Sequence, residues 1–328
     1  MRRRRKKSNT NLIIFILSVI VVLSIVSIIK YSDVFKDDNK NNIDKEITNN
    51  ENTPSNNENS NKDNVSNIEK NDNDEQANKN ENKNNEFEKI SYYKAENLNR
   101  YLEFQEKNKN YSTEKVVTYV NIGLDKEFYS FIKDADMSYG NLILMNKYNK
   151  LKEDYTPSDL EEIDSKYFIN GNTLVRKLKK EAKEAFEMLS EDSINNGTPV
   201  YGQSAFRPYE MQESLYNSAV ANYGQKQADI DTARPGFSEH QTGLAIDVSS
   251  TKGGNMLYFD SSKSFDWMNE NAHKYGFILR YEEDKTDITG FMYESWHYRY
   301  VGIDVATDMY ENYPNLTYEE YYVRFIEK

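Results

Sequence analysis

The 328-residue chain has no cysteine, which excludes disulfides, thiolate metal sites, a cysteine nucleophile and a lipid-modified amino-terminal cysteine. Histidine is nearly as scarce: the chain has three, His240, His273 and His297. Any site that needs imidazoles must draw on these. Positive charge is in short supply beyond the first few residues. The formal net charge is −12, and setting aside the six basic residues at positions 2–7 leaves −18 for the remainder. An acidic body of this kind repels phosphate backbones, so nucleic acid is not an expected partner. Aromatic residues are plentiful by contrast, with 26 tyrosines and 15 phenylalanines to fill a core.

One long apolar run occurs, over residues 12–29, broken only by Ser18, Ser24 and Ser27. At about 1.5 Å per residue it roughly matches the thickness of a bilayer core. Basic residues precede it, and Asp33, Asp37 and Asp38 follow. The positive-inside bias then predicts a cytoplasmic tail over 1–11, a single transmembrane anchor over 12–30, and everything later outside the membrane. The alternative, a cleaved signal peptide, lacks a small-residue cleavage pattern after the run. Residues 31–86 are dominated by asparagine, lysine, aspartate, glutamate and serine. Such a segment buries too little to offset the entropy of ordering and is expected to be a disordered spacer. About 50 residues of coil reach roughly 40 Å.

The foldable body begins near Phe87. Residues 87–170 read as a helical and irregular subdomain, with short helices over 101–107 and 113–120 and an aromatic stretch through Phe128, Tyr129 and Phe131. Residues 171–328 are more regular. Leu174, Val175, Leu178, Ala182, Ala185, Phe186 and Leu189 follow helical spacing up to Gly197. A strand over 199–204 comes next, then a helix over 208–222 with proline at its start and Gly224 past its end. A buried strand over 244–249, a helix over 265–275 stopped by Gly276, and strands over 277–281 and 291–300 complete the unit. Thr317 with Glu320 forms a capping box for the last helix. The expected fold class is α+β, a small mixed or antiparallel sheet flanked by helices and carrying the site.

Two of the three histidines sit in unusual surroundings, Ser238-Glu239-His240-Gln241-Thr242-Gly243-Leu244-Ala245-Ile246-Asp247 and Glu294-Ser295-Trp296-His297. In the first, Leu244, Ile246 and Val248 share the core face of a strand, which puts Asp247 on the opposite face beside Ala245. A carboxylate held there needs a cation or several donors. Gly243 permits a sharp turn that lets His240 and Asp247 converge. Two neutral imidazoles and a carboxylate, His240, Asp247 and His297, form a three-ligand set with a fourth position open, as in catalytic zinc sites. Glu294, three residues before His297, is the candidate general base. In an ideal strand these two would face opposite sides, so a turn or bulge near Ser295-Trp296, or a strand end, is required. His273, on the 265–275 helix, reads as an ordinary polar group.

Together, Ser-x-His-x-x-Gly-x-Ala-x-Asp and Glu-x-Trp-His-Tyr-Arg-Tyr-Val-Gly resemble the VanY-like zinc D-alanyl-D-alanine carboxypeptidases, related in fold to vancomycin-resistance dipeptidases and the hedgehog amino-terminal domain. The resemblance covers roughly residues 203–302 and departs from the commonest pattern at Ser295, where proline is frequent. It implies one zinc ion per chain on His240, Asp247 and His297, with Glu294 as base. It also points to Arg207 and Gln212 as lining the substrate cleft, and Ser238 as a further hydrogen-bonding group. Physically, the planar fork of Arg207 suits a carboxylate or a developing oxyanion. The implied activity is removal of the terminal D-alanine from peptidoglycan stem peptides outside the membrane. An L,D-carboxypeptidase acting on tetrapeptides and a zinc-stabilised wall-binding module without turnover are the alternatives; a hedgehog-like signalling ligand lacks a downstream processing domain. Oligomeric state is not legible.

Overall fold

The computed structural model describes residues 86–169 and 175–327. The basic tail, the apolar run over 12–30 and residues 31–85 of the expected spacer lie outside the described residues. Among those described, no helix is long and apolar enough to cross a membrane.

Helices α1 (Leu98–Lys107) and α2 (Thr113–Ile122) come first. Phe87, Tyr101, Val116, Val117 and Val120 are buried together where these two helices meet. The Ser112 hydroxyl accepts from the Lys115 amide at 3.2 Å and so fixes the start of α2. Two small strand pairs follow. Strands β1 (Lys133–Asp134) and β2 (Asn149–Lys150) are parallel; β3 (Leu160–Glu162) and β4 (Lys177–Lys179) are antiparallel.

Helix α3 spans Lys180–Asn195 and begins later than the apolar spacing suggests. Val175 and Leu178 are buried, but ahead of the helix: Val175 lies in a turn and Leu178 in β4, paired with Glu161. The spacing ran on across the strand–helix junction because both elements face one core. Leu174 lies outside the described residues. Within α3, Ala182, Ala185, Phe186 and Leu189 are buried as the spacing predicts.

Next come β5 (Tyr201–Ser204), α4 (Tyr209–Tyr223), α5 (Gln225–Asp231), β6 (Ala245–Ser249), α6 (Lys263–Asn271), β7 (Phe277–Leu279), α7 (Thr286–Thr289), β8 (His297–Tyr300), α8 (Ile303–Asn312) and α9 (Tyr318–Tyr321). The capping box joins Thr317 and Glu320 at the head of α9. Helix α5 was not anticipated: Gly224 does end α4, but it also serves as the entry to a second helix. The strand expected over 291–300 shrinks to its last four residues, and that expected over 277–281 to its first three.

The four remaining strands form an antiparallel sheet in the order β5-β6-β8-β7. Strand alternation divides its two faces. Ile246, Val248, Tyr298 and Tyr300 join Phe186, Leu189 and Phe277 in the main core, with the Phe186 and Phe277 rings edge to face at 6.3 Å. Asp247, His297 and Arg299 alternate with those residues and so belong to the other face. A mixed α+β fold with α3 packed against one sheet face leaves the opposite face for chemistry.

Candidate active site

Strand register assembles the site. Asp247 on β6 is the cross-strand partner of His297 on β8 and, through β5, of Ser204. An irregularity between Gly202 and Ser204 adjusts the edge strand there. His240 arrives from a 3-10 turn over Glu239–Thr242 that Gly243 closes in the left-handed region, at φ 69°. Strand β6 starts two residues later, so the turn folds His240 back over Asp247.

The His240 Nε2 lies 3.3 Å from Asp247 Oδ2, and the His297 Nδ1 3.0 Å from Asp247 Oδ1. One donor atom from each of His240, Asp247 and His297 falls within 4.8 Å of the others, and all three residues are buried. The His240 Nδ1 donates to the Ala205 carbonyl oxygen at 2.6 Å. A carbonyl can only accept, so the proton sits on Nδ1 and the Nε2 lone pair faces Asp247. Two imidazole nitrogens and a carboxylate oxygen, convergent and dry, are a donor set that fits zinc.

Electrostatics support the same arrangement. Burial pulls His240 below the usual imidazole range, against the nearby Asp247, which raises it. Burial alone would raise Asp247, but the two imidazoles overcome it and hold the carboxyl well below its usual range. Burial opposes charge on His297 too, yet its bonds to Asp247 and Glu239 push it up to about 9. Metal binding would displace that proton, because only a free lone pair can coordinate.

Glu294 reaches the cluster from a turn. Its amide donates to the Tyr281 carbonyl at 3.0 Å, and its carbonyl accepts from the His297 amide at 3.1 Å. Strand β8 begins only at His297. The facing problem posed by a three-residue offset is therefore solved by a turn at the strand end. Glu294 Oε2 stands 3.8 Å from His297 Nδ1. Burial, outweighing the nearby His297 and Arg207, pushes its carboxyl up to about 7.

Arg207 lies on the same side. Its guanidinium donates to Gln212 Oε1 at 2.9 Å and to Ser204 Oγ at 3.1 Å, and approaches Asp247 Oδ2 at 3.5 Å. Gln212 is buried and donates to the Ala233 carbonyl at 2.7 Å, so it braces the arginine. Ser238 is buried at the head of the 3-10 turn, and its side chain makes no capping bond there. His273 stands apart, stacked on the Tyr310 ring at 3.8 Å.

Sequence reasoning gave no role to Glu239, whose Oε2 lies 3.3 Å from His297 Nε2. Burial opposes its charge, but Arg280 and Arg299 hold its carboxyl far below the usual range. Period-two alternation from His297 to Arg299 was the available signal, since it puts an arginine on the site face.

A family model described as VanY, D-alanyl-D-alanine carboxypeptidase, matches residues 175–303. YodJ of Bacillus subtilis (strain 168) is 36% identical over 207 residues, covering 61% of this chain and 75% of the relative. A D-alanyl-D-alanine carboxypeptidase of Enterococcus faecalis (strain ATCC 700802 / V583) is 32% identical over 198 residues, covering 58% and 68%. Among solved structures, the LdcB LD-carboxypeptidase is similar at a TM-score of 0.55 and 35% identity, over 61% of this chain and 92% of that one. The chain belongs to the VanY family of carboxypeptidases, and it is a carboxypeptidase.

Proposed function

We propose that this carboxypeptidase is zinc-dependent and removes the terminal D-alanine of D-Ala–D-Ala-ended peptidoglycan stem peptides. The observation that carries the reading is the convergence of one donor atom from each of His240, Asp247 and His297 within 4.8 Å, with the Glu294 carboxyl 3.8 Å from His297. Zinc, when bound, supplies a Lewis acid that polarises the scissile carbonyl and makes water more acidic. Glu294 takes a proton from the attacking water and returns it to the leaving amine. Burial raises the Glu294 carboxyl to about 7 in the metal-free site, which offsets the lowering a bound cation brings and suits the group to both transfers. Arg207, braced by Gln212, offers its fork to the substrate carboxylate or to the oxyanion.

In this reading the basic tail and the apolar run over 12–30 anchor the protein with its body outside the membrane, where stem peptides are. The support for that is the sequence alone. A second reading, L,D-cleavage of tetrapeptides, is favoured by the similarity to the LdcB LD-carboxypeptidase.

Mass spectrometry of muropeptides incubated with the purified protein separates the two. Pentapeptides that lose one alanine while tetrapeptides persist support the D,D reading; the reverse supports the L,D reading. Elemental analysis should find one zinc per chain and much less in His297→Ala. Equal zinc in the two proteins would sink the ligand assignment.

A further inference from the structure

Beneath the metal-ligand cluster lie four charged side chains almost without solvent contact: Glu239 is 1% exposed, Arg280 2%, Arg299 0% and Glu319 0%. Their charges cancel, but burying ion pairs brings little net stability over apolar packing of the same volume. A network of this kind calls for a reason beyond holding the fold together.

The two Glu239 oxygens have separate partners. Oε1 accepts from Arg280 Nε at 2.9 Å and from an Arg299 terminal nitrogen at 2.8 Å. Oε2 is left for His297 Nε2 at 3.3 Å. Each arginine is fixed in turn. Arg280 is clamped by both oxygens of Glu319, at 2.9 and 2.6 Å, and donates to the Met145 carbonyl. Arg299 donates to the carbonyls of Asn141 and Ile143, at 3.0 and 2.7 Å. The chain placement explains the convergence. Glu239 precedes His240 in the same turn, and Arg299 follows His297 on the same strand face, opposite the small Ala245.

We infer that Glu239 is a positioning residue for the metal site: it accepts the Nε2–H of His297, which fixes that tautomer and turns the Nδ1 lone pair toward Asp247. Both ring nitrogens of His297 face carboxylates, Asp247 at Nδ1 and Glu239 at Nε2. With the Nδ1 lone pair given to a metal, the one proton of a neutral ring belongs on Nε2, where Glu239 can only accept. His240 is fixed in the opposite tautomer by the Ala205 carbonyl, so both imidazoles present their lone pairs to the same point. Residues 141–145, far from the motifs in sequence, thereby act on the site through Arg299 and Arg280.

The inference rests on His297 being a metal ligand, and the test keeps the two apart. Zinc affinity is measured by chelator competition for the full chain, Glu239→Gln and Glu319→Gln, with nitrogen-15 spectra of the His297 ring in the zinc-loaded proteins. Glu319→Gln removes a carboxylate from the same network without touching His297, and so reports loosening of the network alone. Glu239→Gln should bind zinc about 10–100-fold more weakly, and its His297 Nε2–H signal should be lost or exchange faster with solvent. Glu319→Gln should keep affinity within about threefold while melting at lower temperature. Equal losses in the two variants overturn the inference, as does a loss below threefold in Glu239→Gln. So does a wild-type spectrum with the His297 proton on Nδ1. If Glu239→Gln does not fold, Glu239→Asp, which keeps the charge but withdraws the carboxylate, is read by the same criteria. Full zinc content in His297→Ala removes the ligand role itself, and this inference with it.

Discussion

At the scale of the residue, the two carboxylates of the site are distinguished by their surroundings. Asp247 sits between two imidazoles that keep it ionised, whereas Glu294 is pushed up to about 7 by burial. The first suits a ligand and the second a proton carrier. Glu294→Gln keeps volume and hydrogen-bonding shape but removes basicity. It should retain zinc and lose turnover by about 10²–10⁴-fold, while Asp247→Asn should lose zinc. Elemental analysis beside single-turnover rates checks both, and the opposite pattern would mean the carboxylates are assigned the wrong way round. The pH profile follows the same logic. A base works only when deprotonated, so kcat/KM should rise with pH through the pKa of Glu294. A bound cation lowers that pKa from its metal-free position. The acid limb should therefore have its midpoint at or below about 7, and a midpoint above 8 would rule Glu294 out as the base. The clustering of His240, Asp247 and His297 was legible because imidazoles are so few and the strand alternation isolates Asp247. The place of Glu239 was not, because an acid beside a motif histidine looks like a surface residue until Arg280, just past β7, and Arg299, on β8, are seen to meet it.

Elements were legible where one hydrophobic period governs them and illegible where two elements share a core. The spacing through Ala182, Ala185, Phe186 and Leu189 marked α3, but its continuation through Val175 and Leu178 concealed β4. Strand β8 was drawn too long because Phe291 and Tyr293 fit a strand, while the bonds from Glu294 to Tyr281 and from His297 to Glu294 make a turn. Gly243 was read correctly as the pivot between His240 and the strand, and it yields a prediction at this scale. Its φ is positive, and a Cβ would lie 2.8 Å from Leu160 Cδ2 and 3.3 Å from the Lys179 amide nitrogen. Gly197 has a similar φ, 78°, but nothing within 4 Å of a Cβ. Gly197→Ala therefore carries the backbone strain alone. Gly243→Ala adds the clash and should cost about 1–3 kcal/mol more, at roughly 2–4 °C of Tm per kcal/mol for a domain of this size. It should also weaken zinc binding by displacing His240. Matching melting curves and zinc affinities for the two variants would show that the turn has slack.

For the whole molecule, the question is how much chain the proposed metal site needs. The family match begins at residue 175, which suggests that a fragment from about 171 would suffice. The hydrogen bonds suggest otherwise. Arg299 and Arg280 donate to the carbonyls of Asn141, Ile143 and Met145, and Gln241, beside His240, donates to those of Lys152 and Tyr155. The Leu151 amide donates to the Gly236 carbonyl. Removing residues 86–170 would take the Met145 carbonyl from Arg280 and the Asn141 and Ile143 carbonyls from Arg299, and although Glu239 and Glu319 would remain, each buried donor left unpaired costs about 1–3 kcal/mol. It would also uncover Tyr318, Tyr321 and Tyr322, which pack with Tyr119, Ile122 and Tyr148. Removing residues 1–85 breaks none of these contacts, because Phe87, 2% exposed against Tyr101, marks the start of the core. A chain of residues 86–328 should therefore fold, bind one zinc and cleave soluble stem peptides at the full-length rate. A chain of residues 171–328 should be poorly folded by circular dichroism and lack stoichiometric zinc. If the shorter chain folds and retains both zinc and activity, residues 86–170 contribute nothing to the site and the carbonyl contacts are incidental. If the longer one folds but is inactive on soluble peptides, residues 1–85 contribute to catalysis directly.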